Sequence, residues 1–466
     1  MNLPSKTMAR RTFNRGLAAA SALAFTPPSL GKTIAHVLQV GQGIVDITPP
    51  IGIELAGFHK TPGNERLIEG IRKPCAVRAL VLSMGPEESA IVSVDIVGVS
   101  HDFSHKVSER VEAETGIPAG RVRICATHSH STPTLRFCLQ WGAIPEEYGN
   151  TVADSIVEAV SKAKADLSPA QLFIGKATAE GANFNRTTKD YQTEDHFDKE
   201  SSDSTRWLDR DLHALRFDRF EEKDPLLWYH FSAHPVCYTD TLAGPDWPAL
   251  VTETIEAKLG ITPSFLQGHA GDVNPGDGDP WLGVPEKVAD RVVEAIIEAN
   301  DNAVEVGVHD IPVFVEKVQI PLDPERLQQD LSAYREHPDQ CSSGEWVDSG
   351  FAKAWFERAS AWDPNRQNLE IQVSVMRLGE VALLFHPSEL FSYYGLWIRE
   401  RSPFKHTLLV GYTDGLIGYL TDPSSYEKHE YAAVVVPKIL ELPPYDEEAT
   451  RSFSKDCLHL LEKIHS

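Results

Sequence analysis

A cysteine framework is missing from this chain. Cys75, Cys125, Cys138, Cys237, Cys341 and Cys457 are scattered, with no C-x-x-C pair. That spacing excludes a zinc ribbon, a redox motif and a disulfide scaffold, and it reads as small buried hydrophobes. Positive charge is also scarce: 44 Lys plus Arg face 67 Asp plus Glu, a net charge of -23 over 466 residues. Such a balance argues against nucleic acid or any other polyanion as partner and favours neutral or cationic ligands. No uninterrupted apolar run approaches the ~20 residues that span a bilayer, so no transmembrane segment is expected in the mature chain. Internal repeats, coiled-coil heptads and low-complexity tracts are absent, as are H-E-x-x-H, G-x-S-x-G and Walker motifs. Gly41-Gln42-Gly43-Ile44-Val45-Asp46 lacks the third glycine of a dinucleotide loop and runs into strand-like residues.

What is present is a globular composition, 42% hydrophobic and 24% charged, enough for a large core. The N-terminus is an address. Arg10 and Arg11 precede Thr12 and Phe13, and an Ala/Leu stretch runs to Phe25. This is the pattern of a twin-arginine export signal, assigned to residues 1–30, with residues 31–466 as the mature domain. Periplasmic or secreted localisation follows, with folding and metal loading before export. Apolar, β-branched runs predict strands over Ala76–Met84, Ala90–Val99, Val122–His128, Leu172–Ala179, Leu226–Ala233, Val313–Ile320 and Ile371–Phe385. Helical patterns lie between them, over Lys106–Thr115, Thr151–Ala165, Trp247–Leu259, Pro285–Ala299 and Arg326–Arg335, with a last helix near Glu447–Ile464. This alternation predicts an α/β fold. The polar stretches Thr187–Asp203 and Pro338–Gly344 read as surface loops, each placed to serve as a lid.

Four segments carry chemistry-bearing residues. In Thr127-His128-Ser129-His130-Ser131 an apolar strand enters a polar turn, and histidines at i and i+2 on a strand share a face, a common offer of imidazoles to a metal. A hydrogen-bonded pair in a turn is the competing reading. In Tyr229-His230-Phe231-Ser232-Ala233-His234-Pro235 the two histidines of a strand would stand roughly 13 Å apart at ~3.3 Å per residue, too far to share one ion. His234, at the strand end, is the candidate ligand, and His230 a satisfied core residue. Gly271-Asp272-Val273-Asn274-Pro275 resembles a calcium loop only superficially, because Gly276 and Gly283 occupy the fifth and twelfth positions. It reads as a substrate loop or an ordinary Asx turn. In Phe385-His386-Pro387-Ser388-Glu389, Glu389 is an oxygen ligand or a helix-start carboxylate.

Taken in order, these segments resemble the neutral/alkaline (non-lysosomal) ceramidase family, in its zinc-dependent N-terminal catalytic domain, from about Val40 to Ala433. Further landmarks are Gly57-Phe58, Val92-Ser93-Val94-Asp95, Asn185-Arg186-Thr187 and Gly418-Tyr419-Leu420-Thr421 followed by Tyr426 and Tyr431. The resemblance implies a large mixed-sheet α/β domain. It implies Zn2+ held by His128, His234, Glu389 and Tyr419, with Tyr412 and Tyr426 as neighbouring alternatives to the last. It implies His130 as the residue that exchanges a proton with the attacking water and Arg186 as the stabiliser of the oxyanion. Asp272 and Asn274 fall in the substrate loop. The chain departs from the family pattern at Asn274, where ceramidases carry serine, and at Ser131-Thr132-Pro133-Thr134, where they carry S-G-P-G-G. Both departures touch the pocket rather than the metal. Too few residues follow Tyr431 for the family's C-terminal immunoglobulin-like domain of about 100 residues, which is therefore expected to be missing.

The leading expectation is an exported zinc amidohydrolase acting on linear amides, with an N-acyl lipid or another N-acylated small molecule as substrate. The alternatives are an esterase, a non-catalytic periplasmic metal- or ligand-binding protein on the same fold, and separate structural residues that never converge.

Overall fold

The computed structural model describes residues 37–363 and 365–466. The twin-arginine segment lies outside the described residues. Two sheets pack face to face, with helices on both outer sides. The larger sheet runs, edge to edge, Pro263–Gln267, Leu226–Phe231, Asp211–Arg219, Ser168–Thr178, Gln39–Asp46, Ala76–Met84, Glu87–Val94 and Val122–Ala126, with Val304–Val306 also paired to Ser168–Thr178. Its inner pairs are antiparallel, while Leu226–Phe231 with Pro263–Gln267 and Glu87–Val94 with Val122–Ala126 are parallel. The sheet curls until Ser93 Oγ, near one end, donates 2.7 Å to the carbonyl of Phe265 at the other. The smaller sheet holds Val313–Pro321, Asn368–Leu378, Val381–Phe385 and His406–Val410, the last pair parallel.

The run predicted over Ile371–Phe385 is two strands joined at Gly379, whose φ of 59° suits a tight turn. Leu80, Leu82, Leu215 and Trp228 of the larger sheet meet Met376, Leu383 and Leu408 of the smaller in one buried core. Helices Glu146–Ala165 and Pro285–Asp301 cover the outer face of the larger sheet, burying alternating strand residues beneath them. Gly41 and Gly43 have a packing role here, because a Cβ on either would lie 2.1 or 2.0 Å from the carbonyl oxygens of Ala163 and Ala159. These glycines let a helix lie directly on the strand Gln39–Asp46. Among the described residues no helix is long and apolar enough to cross a membrane. Thr187–Asp203 is partly ordered: Gln192–Thr193 pairs with Trp207–Leu208, and Glu194 is bound to Arg210.

The architecture matters because several strands end at one place. Val122–Ala126 leads to His128, Leu226–Phe231 to His234 and Pro263–Gln267 to Asp272. From the smaller sheet, Val381–Phe385 leads to Glu389 and His406–Val410 to Tyr412. The larger sheet's curl brings its two parallel edges together, so a cleft forms beyond these carboxyl ends, where open α/β sheets place their ligands.

Candidate metal centre

His128 lies past the end of its strand, in the left-handed region at φ 64°, so it shares no strand face with His130. The turn itself brings the rings together, 4.9 Å apart between centroids and 76° between planes. His128 Nδ1 lies 2.6 Å from the carbonyl of Val97, and His234 Nδ1 lies 2.9 Å from that of Val273. A carbonyl only accepts, so each Nδ1 carries the proton and each Nε2 presents a lone pair. These Nε2 atoms stand 3.5 and 3.3 Å from one oxygen of Glu389, all three residues being buried. His234 Nε2 has no hydrogen-bond partner. His130 Nε2 lies 3.2 Å from His128 Nε2, and one ring nitrogen from each of His128, His130 and His234 falls within 4.8 Å of the others.

Glu389 and Tyr419 are neighbours by register, since Ser388–Leu390 pairs in parallel with Gly418–Leu420. Tyr419 OH accepts from Arg186 Nη2 at 2.8 Å, and the same guanidinium donates to the carbonyl of Gly271 at 2.7 Å. Tyr412 stacks over His128 at 4.3 Å, with its hydroxyl 3.4 Å from Glu389. Asp272 spends one oxygen on Asn185 and the other on the backbone and hydroxyl of Ser392, so it fastens the loop. Asn274 receives Arg186 Nη1 at 3.3 Å and donates to the carbonyl of Trp281 at 3.0 Å. His230 is buried, with Nε2 2.8 Å from the carbonyl of Leu409. Tyr426 lies away from these groups, under Arg326.

Burial sets the protonation states. It pushes His128 down to about 4 against the opposing pull of Glu389, and His130 and His234 well below the ordinary histidine range, so all three imidazoles are neutral at pH 7. Burial, with the Glu389 charge, also drives the Tyr412 and Tyr419 phenols far up, although Arg186 works against this at Tyr419. Arg186 is half-buried, and although desolvation works against its charge, Tyr419 and Glu389 hold its pKa above the ordinary arginine value.

Two imidazole lone pairs thus converge on one carboxylate oxygen, which the Tyr412 hydroxyl also faces, a set of donors that could hold a cation. Tetrahedral bonds of about 2.0–2.1 Å place donors about 3.3–3.5 Å apart, the spacing seen here. The donor set could hold a divalent transition metal.

Gly57, named in the sequence only as a landmark, has φ 93° and backs onto the His130 ring. Sequence reasoning missed other supports. Asp246, held at φ 67° and ψ -148°, caps the helix Trp247–Leu259, and the Trp247 indole donates 3.1 Å to the carbonyl of His234. A backbone so strained in a non-glycine residue is characteristic of functional surroundings. A cleft of about 380 Å³, lined in part by Gly271, Phe391 and Tyr431, reaches Arg186.

Residues 38–275 match the family model described as neutral/alkaline non-lysosomal ceramidase, N-terminal. The neutral ceramidase of Pseudomonas aeruginosa is 24% identical over 285 residues, covering 58% of this chain and 41% of that protein. The neutral ceramidase of Drosophila pseudoobscura pseudoobscura is 25% identical over 258 residues, covering 51% of this chain and 36% of that one. The chain therefore spans well under half the length of these relatives. The crystal structure of the Pseudomonas aeruginosa neutral ceramidase superposes with a TM-score of 0.70 at 18% identity, over 92% of this chain and 74% of that one. A ceramidase solved in complex with C2 gives the same score at 17% identity, over 92% and 75%. The fold is shared, the family model covers more than half of the sequence, and the chain belongs to the neutral/alkaline non-lysosomal ceramidase family.

Proposed function

We propose that this chain is a zinc-dependent amidohydrolase that cleaves the amide of an N-acyl lipid or a related N-acylated small molecule. The observation that carries the reading is the convergence of the His128 Nε2 and His234 Nε2 lone pairs on Glu389 Oε2. These residues would hold the ion, with Tyr419 beside Glu389 as the family pattern implies. When bound, zinc supplies Lewis-acid charge that makes water acidic near neutral pH. His130 is neutral and its Nε2 faces the cluster, so it takes a proton from the attacking water and returns it to the departing amine. Arg186 is permanently charged, and its hydrogen bonds to Gly271, Asn274 and Tyr419 fix it where negative charge develops on the amide oxygen. Family membership and the ceramidase relatives support a lipid amide as substrate.

The test is metal content by elemental analysis and turnover on a panel of N-acyl amides and esters, for the wild type and for His128→Ala/His234→Ala. About one zinc per chain with amide turnover, both lost in the double variant, is expected. Full metal content and activity in the double variant would overturn the reading. The export assignment belongs to the same proposal: Arg10→Lys/Arg11→Lys should retain the protein in the cytoplasm on fractionation, and unchanged export would sink it.

A further inference from the structure

Asn274 lies on the short strand Val273–Pro275, paired with Phe184 of Asn183–Asn185, and is only 2% exposed. Both ends of its amide are engaged. The oxygen accepts from Arg186 Nη1, which only donates, and the nitrogen donates to the carbonyl of Trp281, which only accepts. One side chain thereby joins the charged group of the site to the loop that presents Trp281. The Trp281 side chain is 53% exposed and stands edge-on to Phe184 at 5.4 Å. A large, half-open indole on a loop pinned from beneath is a built feature, and its position gives it a task.

Arg186, Thr187 and Trp281 line two clefts at once, each of about 380 Å³, within the range of small-molecule sites. Beyond these shared residues, the first cleft is walled by Gly271, Phe391, Tyr431, Ala432 and Glu430, whose carboxylate is taken up by Arg206 and Ser425. The second is walled by Phe184 and Tyr191 and edged by Thr188, Lys189, Asp277 and Asp279. An amide has two arms that diverge from its carbonyl carbon. With the carbonyl oxygen at Arg186, as the proposed function has it, one arm enters each cleft. The first cleft, with the rings of Phe391 and Tyr431 on its wall and its one further charged group, Glu430, already paired with Arg206, suits the acyl chain. The charged edge of the other suits an amine fragment bearing hydroxyl or ionic groups.

We infer that Trp281 is the specificity-determining partition between an acyl cleft and a polar amine cleft, and that Asn274 is the positioning residue that yokes this partition to Arg186. The favoured substrates are then N-acyl amides with a compact polar amine side, rather than amides with two long apolar arms. The inference rests on the proposed amide hydrolysis, so its test includes a readout that needs no turnover.

The zinc-loaded full chain is assayed on two amides of one fatty acid, N-dodecanoylserinol and N-dodecanoylhexylamine. The wild type should prefer the first. W281A should erode that preference about tenfold through KM, the scale of losing contacts to polar groups in a built pocket. N274D keeps an acceptor for Arg186 but cannot donate to Trp281, so it should move KM for the serinol amide more than kcat. N274A removes both bonds and should lower kcat as well, and N274Q, which retains both groups, should recover part of it. Variants that shift both substrates equally would overturn the partition. Independently, acrylamide quenching of tryptophan fluorescence should rise in N274D and N274A, and the rise should vanish in a W281F background. Unchanged quenching would overturn the yoke whatever the kinetics. A wild type inert on every amide would remove the substrate assignment together with the proposed function, while quenching would still decide the coupling.

Discussion

Replacing Gly57 by alanine tests the role of His130 more sharply than mutating the histidine itself. Gly57 has φ 93°, and a Cβ there would sit 2.5 Å from both Cγ and Nδ1 of His130. Ordinary contacts are about 3.5–4.0 Å, so the ring must retreat by about 1 Å. It cannot do so with its backbone. The His130 N–H donates to the carbonyl of Pro235 at 2.9 Å, and its own carbonyl is held by Arg66 at 2.9 Å. The ring must therefore swing and carry Nε2 away from His128. A displacement near 1 Å at a reacting group costs about a hundredfold in rate. The left-handed backbone adds about 1–2 kcal/mol of instability. Gly52 supplies the control, since at φ 92° it pays the same backbone penalty with nothing within 4 Å of its would-be Cβ. Thermal melting and kcat/KM on the best N-acyl substrate should therefore separate the two. Gly52→Ala should lose stability alone; Gly57→Ala should lose similar stability and about a hundredfold in kcat/KM, with zinc retained. Equal kcat/KM in both variants would refute the placement of His130 at the reacting atoms.

Three further outcomes follow from buried charge. Asp209 is 0% exposed, meets Arg399 through two 2.8 Å bonds, and lies 3.0 Å from His269. Removing it takes away the bidentate partner of Arg399 and leaves only Asp211, 3.0 Å away, so Asp209→Ala should lose about 1.5–3 kcal/mol in urea unfolding, and a loss below about 1 kcal/mol would count against this. Burial holds His128 and His230 at about 4 and His386 at about 3 in the metal-free protein. The unfolded chain binds protons from about pH 6.5, so their contribution is intact above that pH and is lost as pH falls toward 4, at about 1.4 kcal/mol per pH unit for each histidine. A melting temperature that stays flat between pH 7 and pH 5 in metal-stripped protein would contradict it. Zinc at a hundredfold above its dissociation constant should raise the unfolding free energy by about 2.7 kcal/mol, an increment absent from His128→Ala/His234→Ala.

Strands with continuous apolar runs were legible. Ala76–Met84 and the helix Trp247–Leu259 fall where the pattern puts them, and the start of Leu226–Phe231 does too. The strand Asp211–Arg219 was not, because Asp211 and His213 on one face and Arg216 and Asp218 on the other interrupt the apolar pattern of both. Those side chains meet partners far along the chain, such as Lys176 and Arg399, which no local pattern displays. His128, His234 and Glu389 could be named because short motifs carry them. Their carbonyl partners at Val97 and Val273 could not, since a backbone oxygen has no signature in sequence. Trp281 was invisible for a similar reason: its significance comes from the Asn274 amide beneath it, and a tryptophan in a glycine-rich loop otherwise looks like chance exposure.

Glu389 follows the strand Val381–Phe385 of the smaller sheet, and the pairing of Ser388–Leu390 with Gly418–Leu420 sets Tyr419 beside it. In time, this means that the site is written from both ends of the message. On the order of 300 residues separate His128 from Tyr419, so a ribosome adding about 5–20 residues per second takes roughly 15–60 s to pass from one to the other. Within that interval, from His234 until Glu389 is added, the emerging chain carries both imidazoles without the carboxylate that faces them. An ion met then would find nitrogen donors alone. Discrimination among metals belongs to the finished molecule.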